Sequence, residues 1–331
     1  MVPYLSIPVT EASQVGEARR AAARLSEQLG FDEATAGRVA VIATELGTNL
    51  ARHAQGGRIL IGQRTLGPVP ALELLSTDQG PGMGDVERCL RDGFSSRGTS
   101  GIGLGAVQRM SDTFSVYSHP GKGTVILTRI SAPHVPAPAP AFAMAGLCVA
   151  APGESVSGDG WALRIDGHVA SVMMADGLGH GPMAAQASDA ALALFASATG
   201  RPSQVLEKAH LGMRHTRGAA VTVAMLDAST DGIVFAGVGN ISGRLVSGVE
   251  DRSLLSQHGT IGLQIRKLAD VEYAWPDHAL LVLHSDGIAT RWNFKETGGL
   301  LQCDPAVIAG WLIREHFRGR DDATVVVIRR N

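Results

Sequence analysis

Glu45, Asn49 and His53 recur at intervals of four in VIATELGTNLARHAQGG, a stretch that is otherwise apolar and helical in pattern. Residues four apart stack on one helix face, so the three polar side chains lie together. That face points either at water or at something that needs these three polar groups. In the second half of the chain, acidic residues recur after apolar β-like runs: Asp159 in SGDGW, Asp176 in MADGLGHG, Asp286 in LHSDGIA, and Asp321 with Asp322 in GRDDATVVV. Carboxylates placed at strand ends can converge on one edge of a β sandwich, where they repel one another unless cations sit among them. Two divalent metals so held can activate a water for attack on phosphorus.

Glycines mark a further feature of the first half. DQGPGMGD at 78–85 ends a strand-like run, and SRGTSGIGLGAVQRM at 96–110 opens into a helical pattern. Gly80, Gly82, Gly101, Gly103 and Gly105 stand where a chain comes close to a ligand, and the N–H groups at the helix start suit phosphate oxygens. The phosphate loop G-x-x-x-x-G-K-[ST] is absent, as are the glycine loop, catalytic loop and metal-binding triplet of eukaryotic-type protein kinases. GxSxG, CxxC and HExxH are missing too, which leaves serine-hydrolase, thiol-redox and zinc-protease chemistry without support.

The elements that must position these groups fall into two blocks. Residues 11–30 and 32–54 have helical periodicity, whereas RILIGQRTL, ALELLSTD, FSVYS and TVILTRI are strand-like, which predicts an α/β sandwich. SAPHVPAPAP at 131–140 cannot continue regular structure and reads as a semi-rigid linker. After it come many short β-rich runs, with helical segments at 182–198, 202–214 and 304–316; a two-sheet β core with helices packed outside is expected.

Taken in order, Glu45 with Asn49, D-x-G-x-G at Asp78–Gly82 and G-x-G-L-G at Gly101–Gly105 resemble the N box and two glycine boxes of the GHKL ATP-binding fold. The chain from about 10 to 130 is similar to the small bacterial anti-sigma-factor kinases of the RsbT type, which phosphorylate Ser or Thr on STAS-domain proteins. The resemblance implies an ATP site. Asn49 would coordinate its Mg²⁺, Asp78 would accept from the adenine amino group, and Glu45 would orient or deprotonate the attacking hydroxyl. Gly80, Gly82, Met83, Gly101, Gly103 and Gly105 would bind the nucleotide, Thr124 in GKGT would line its adenine side, and residues 84–100 would form a lid. His53 is not required by this chemistry and reads as packing or as support behind the site; Arg97, in the lid, could touch phosphate but reads as an exposed side chain.

The second half resembles the metal-dependent Ser/Thr phosphatases of the SpoIIE class, nearest the RsbX type, whose G-D, D-G-x-G-H-G, S/T-D-G and D-D-x-T motifs hold two Mn²⁺ or Mg²⁺ ions. Carried over by position, Asp159, Asp176, Asp286 and Asp321 would hold the metals, with the Gly177 carbonyl. Asp322 stands where related enzymes often have Asn, and His180 reads as shaping its turn. The expected fold class is therefore α+β: a GHKL (Bergerat) kinase domain at 1–130, a Pro/Ala linker at 131–140, and an α-β-β-α PPM-type phosphatase domain at 141–331.

Composition bounds the partners. With 331 residues, 45% of them hydrophobic, two domains can each bury a core. A formal net charge of -2 gives no field for nucleic acid or a membrane surface. Three distant cysteines suit a reducing cytoplasm, and no run of apolar residues long enough to span a bilayer occurs. The expectation is a cytoplasmic bifunctional switch acting on a STAS-domain protein, with a sigma factor or second regulator as a further partner. The alternative is an ATP-dependent anti-sigma or activator binding module joined to an active phosphatase.

Overall fold

The computed structural model describes residues 2–64, 66, 69–91, 103–133 and 141–331. Gly101, Arg97, most of the expected lid and residues 134–140 of the expected linker lie outside these described residues. The chain divides into two compact units, one of Tyr4–Pro138 with Thr297–Arg314 and one built mainly of Ala139–Glu296 and Glu315–Asn331.

The N-terminal unit begins with β1 (Leu5–Pro8), α1 (Ala12–Gln28), α2 (Glu33–His53), β2 (Arg58–Arg64) and β3 (Ala71–Asp78). It continues with α3 (Val86–Leu90), α4 (Gly103–Met110), β4 (Thr113–Ser118) and β5 (Thr124–Ser131). Its antiparallel sheet runs β1-β2-β3-β5-β4. Asp32 starts α2 by accepting a hydrogen bond from the Thr35 N–H at 2.7 Å, a cap that contributes about 1 kcal/mol. From there Val39, Ile42, Ala43, Leu46 and Leu50 recur at helical spacing and bury against Ile59, Ile61, Leu72, Leu74, Ile126 and Ile130 of the sheet. That orientation leaves Glu45 and Asn49 only half-buried on the flank of α2.

The C-terminal unit carries β6 (Phe142–Val149), β7 (Asp159–Asp166), β8 (Val169–Gly177), α5 (Pro182–Ser197), α6 (Pro202–Gly212), β9 (Ala219–Asp227), β10 (Gly232–Val238), β11 (Ser242–Val246) and β12 (Asp251–Ser253). Then follow β13 (Val271–Ala274), β14 (Leu280–His284), α7 (Pro305–His316) and β15 (Ala323–Arg330). The strands form two five-stranded antiparallel sheets, β13-β10-β9-β8-β7 and β12-β11-β14-β15-β6. Helices α5 and α6 cover the first through Ala187, Ala191, Phe195, Leu206 and Ala209, which meet Met173, Ala175, Val221 and Val223.

Helix α7 departs from the simple two-block expectation. Its segment up to Arg314 groups with the N-terminal unit, and every residue from Pro305 to Ile313 is buried. The reason lies in the sheet it meets. β5 is buried along its whole length and β3 along nearly all of it, so a second cover is needed on the face away from α2. Gly310 provides the close approach: a Cβ there would lie 2.9 Å from Leu75 Cδ2 and 3.4 Å from Val125 Cγ1.

Candidate functional sites

In the N-terminal unit the predicted nucleotide residues gather where α2, the end of β3 and the start of α4 meet. Glu45 Oε2 lies 2.5 Å from where a Cβ on Gly103 would stand, which places the first turn of α4 against the carboxylate. The last turn of α2 abuts the loop after β3: Gln79 N–H donates to Gln55 O at 2.9 Å, and a Cβ on Gly80 would be 3.0 Å from His53 O. Asn49 sits one turn before His53 on that helix. Neither Glu45 nor Asn49 has a hydrogen-bond partner among the described residues.

Asp78 closes β3 opposite Thr124 of β5. Burial pushes its carboxyl above the usual carboxylate range, opposed by the Gly80 N–H, which donates to Oδ1 at 2.7 Å, and by the nearby Arg314 charge. Gly82 turns the loop at φ 67°, and a side chain there would run into His119 O. Met83 N–H donates to Ser118 Oγ at 2.7 Å, and Ser118 Oγ is 2.9 Å from Thr124 Oγ1. Ser118 thus ties two predicted residues together. Sequence reading missed it because a serine in FSVYS carries no motif. Gly105 is buried inside α4. The arrangement offers a half-buried carboxyl acceptor at one end and an oxygen pair beside a helix N-terminus at the other, a fit to adenine and to a phosphate-bound cation.

In the C-terminal unit the five acidic residues converge. Asp159 and Asp176 face each other as register partners of β7 and β8. Asp286 follows β14 by two residues and Asp321 precedes β15 by two, and those strands pair with His284 opposite Val325. The junction is laced by Ser285 N–H to Thr324 O at 3.1 Å and Thr324 N–H to Ser285 Oγ at 3.0 Å. Asp322 acts as the brace. Its Oδ1 accepts from Ala151 N–H and its Oδ2 from Gly158 N–H, both at 2.8 Å, which draws the chain before Asp159 against the start of β15. Glycine is forced at Gly177, where a side chain would collide with the Ala184 carbonyl, and at Gly287, where it would meet Asp322 O.

The electrostatics report a site short of positive charge. Burial together with Asp159, Asp286, Asp321 and Asp322 pushes the Asp176 carboxyl up to about 9. Burial, aided by Asp322 and Asp321, pushes Asp159 up to about 7. Asp159 is 4% exposed and its Oδ2 has no hydrogen-bond partner. Asp286 is raised by burial and Asp321, with Arg318 and an Asn240 Nδ2 bond to its Oδ2 at 2.7 Å opposing. Among the described residues no three acidic, histidine or cysteine side chains are already drawn into one ligand sphere. The donors are nonetheless hard oxygens, one of them orphaned in the interior, and they fit divalent cations such as Mn²⁺ or Mg²⁺. His180 stands on the exposed rim, Nδ1 2.9 Å from Glu154 Oε1, and Arg217 Nη1 donates to Leu178 O at 2.9 Å in the same loop.

Residues 7–129 match the histidine kinase-like ATPase domain model, and residues 166–331 match the stage II sporulation protein E (SpoIIE) model. The serine/threonine-protein kinase RsbT of Bacillus subtilis (strain 168) is 36% identical over 109 residues, 33% of this chain and 82% of RsbT. A solved chain of the bacterial stressosome, a modular system adapted to control secondary messenger signaling, is 25% identical at a TM-score of 0.51, covering 57% of this chain and 99% of its own. RsbX in complex with magnesium shares the fold at 20% identity and a TM-score of 0.51, over 57% of this chain and 96% of its own. Among the described residues no helix is long and apolar enough to cross a membrane. The chain thus belongs to the SpoIIE family through residues 166–331 and, through its N-terminal unit, to the family of the serine/threonine-protein kinase RsbT.

Proposed function

We propose that the protein is a bifunctional partner-switching regulator that phosphorylates Ser or Thr on a STAS-domain protein with its N-terminal unit and removes the phosphate with its C-terminal unit. The observation that carries the reading is that one chain holds both constellations: Glu45 against Gly103 beside the Asp78 loop, and five mutually repelling carboxylates, among them Asp159 with its orphaned oxygen.

At the first site Glu45 would orient or take the proton of the attacking hydroxyl, Asn49 would hold the Mg²⁺ of ATP, and Asp78 would accept from the adenine amino group, with Met83 and Thr124 beside it. Gly80, Gly82, Gly103 and Gly105 let the backbone approach the nucleotide, and Gly101 has the same role by its place in the motif. At the second site Asp159, Asp176, Asp286, Asp321 and the Gly177 carbonyl would hold two divalent cations, which when bound lower the pKa of a water and neutralise phosphate charge. RsbX, which shares the fold, was solved with magnesium, and that supports the choice of cation. Asp322 keeps the strand ends together. Asn240 steadies Asp286.

The test is an intact-mass assay with Mg-ATP and a STAS-domain protein, first for the gain of a phosphate and then, with Mn²⁺ and no ATP, for its loss. Asn49→Ala is expected to abolish the gain and keep the loss, and Asp176→Ala to do the reverse. ATP binding with no transfer in wild type would replace the kinase assignment by an ATP-dependent binding module. Loss of both activities from either substitution would contradict separable sites.

A further inference from the structure

The unit holding the nucleotide residues is not built from the ATPase-family segment alone. It includes Thr297–Arg314, which lies within the SpoIIE-family match. This segment is anchored at both ends. At the start, Asp304 takes a two-pronged bond from Arg129, Nη1 to Oδ2 at 2.6 Å and Nη2 to Oδ1 at 2.8 Å, and its N–H donates to Ser115 Oγ at 3.3 Å. At the end, Arg314 Nη1 donates to the main-chain oxygen of Asp78 at 2.8 Å. The lengths agree. Arg129 stands opposite Glu73 and Thr124 opposite Asp78, so the anchors are five strand residues apart, about 17 Å at ~3.4 Å per residue. From Asp304 to Arg314 is ten residues, about 15 Å at 1.5 Å per helical residue. Helix α7 therefore runs along β3 and β5 with its last turn at the adenine acceptor.

The geometry points to Arg314 as a positioning residue for adenine recognition, contributed to the ATP site by the SpoIIE-family part of the chain. A carboxylate selects an adenine amino group only if its oxygens are held in one place and accept rather than donate. Arg314 serves both needs. Its bond to the Asp78 carbonyl fixes the main chain at the point where β3 turns into the glycine loop, where Gly123 already packs so closely that a Cβ would strike that oxygen. Its charge also works against the burial that disfavours ionised Asp78. None of the glycine boxes contains a residue able to do this, which is why motif reading leaves Arg314 unnoticed.

The inference rests on the proposed ATP site, and the experiment separates the two. Binding of a non-hydrolysable ATP analogue and the matching GTP analogue, both with Mg²⁺, is measured on the full chain for wild type, Arg314→Ala, Arg314→Gln and Arg314→Lys. If wild type binds neither nucleotide, the ATP reading itself falls. If wild type prefers ATP, Arg314→Ala is expected to weaken ATP binding on the order of tenfold while GTP binding changes little, with Lys restoring most of the preference and Gln part of it. An unchanged ATP-to-GTP ratio in Arg314→Ala overturns the assignment. So does an equal loss of both nucleotides, which would give Arg314 a purely structural role.

Discussion

Replacing Arg129 by Ala should release α7 from the sheet, and the cost can be worked from the structure. The Arg129 guanidinium pairs with Glu73 on one side and grips Asp304 on the other, with side chains 10%, 2% and 20% exposed respectively. Tyr4 OH donates to the other Glu73 oxygen at 2.5 Å, so the network continues into β1's approach. Removing this cation leaves two largely buried carboxylates with the nearby Arg64 charge as compensation, a loss of about 3–5 kcal/mol by the usual cost of breaking a buried pair. At about 1.4 kcal/mol per decade, amide exchange over residues 305–313 should speed up by roughly two to three and a half orders of magnitude. Hydrogen–deuterium exchange read on peptides from that helix is the assay. A triple variant, Arg129→Met with Glu73→Gln and Asp304→Asn, removes the three paired charges, leaves the Arg64 charge beside them, and should recover part of the protection. An exchange increase below about fivefold in Arg129→Ala would refute the reasoning, because the network would then contribute about 1 kcal/mol or less, no more than an exposed pair.

The same ion pair sets a pH dependence. Burial alone would raise Asp304, but the bonds and charge of Arg129 outweigh it and hold the carboxyl below its usual range. A depressed folded-state value stabilises docking above about pH 4 and is lost as pH falls through it, so exchange over 305–313 should rise in acid in wild type and rise less in Asp304→Asn. Asp322→Ala should strand the Ala151 and Gly158 N–H groups, cost about 2–5 kcal/mol in urea unfolding of the C-terminal unit, and lower phosphatase turnover by loosening Asp159; stability within about 0.5 kcal/mol of wild type would remove the bracing role. Gly177→Ala, whose Cβ would meet the Ala184 carbonyl, should abolish Mn²⁺-dependent dephosphorylation while ATP-analogue binding persists.

Local chemistry made much of both sites legible in the sequence. Four-residue spacing put Glu45 and Asn49 on one flank of α2 because the apolar stripe from Val39 to Leu50 leaves no other orientation. Strand-end placement likewise brought Asp159, Asp176, Asp286 and Asp321 into one mutually repelling cluster, since Asp159 opens β7, Asp176 stands near the end of β8, Asp286 follows β14 and Asp321 precedes β15. What spacing could not supply were partners fixed by packing across long separations. Ser118 joins Met83 to Thr124 from a strand with no motif. Asp322 turned out to spend both oxygens on main-chain N–H groups, a fact no D-D dipeptide reveals.

The sequence by itself determined the fold class and the two families, because helix periodicity, strand alternation and glycine spacing are local properties. Only the tertiary structure decided which cover the first sheet receives. β3 and β5 are buried on both faces, α7 is apolar nearly all round, and the Arg129–Asp304 pair joins residues 175 positions apart. A pairing over that distance depends on which buried surfaces fit each other, and that is a property of the folded chain and not of any stretch within it.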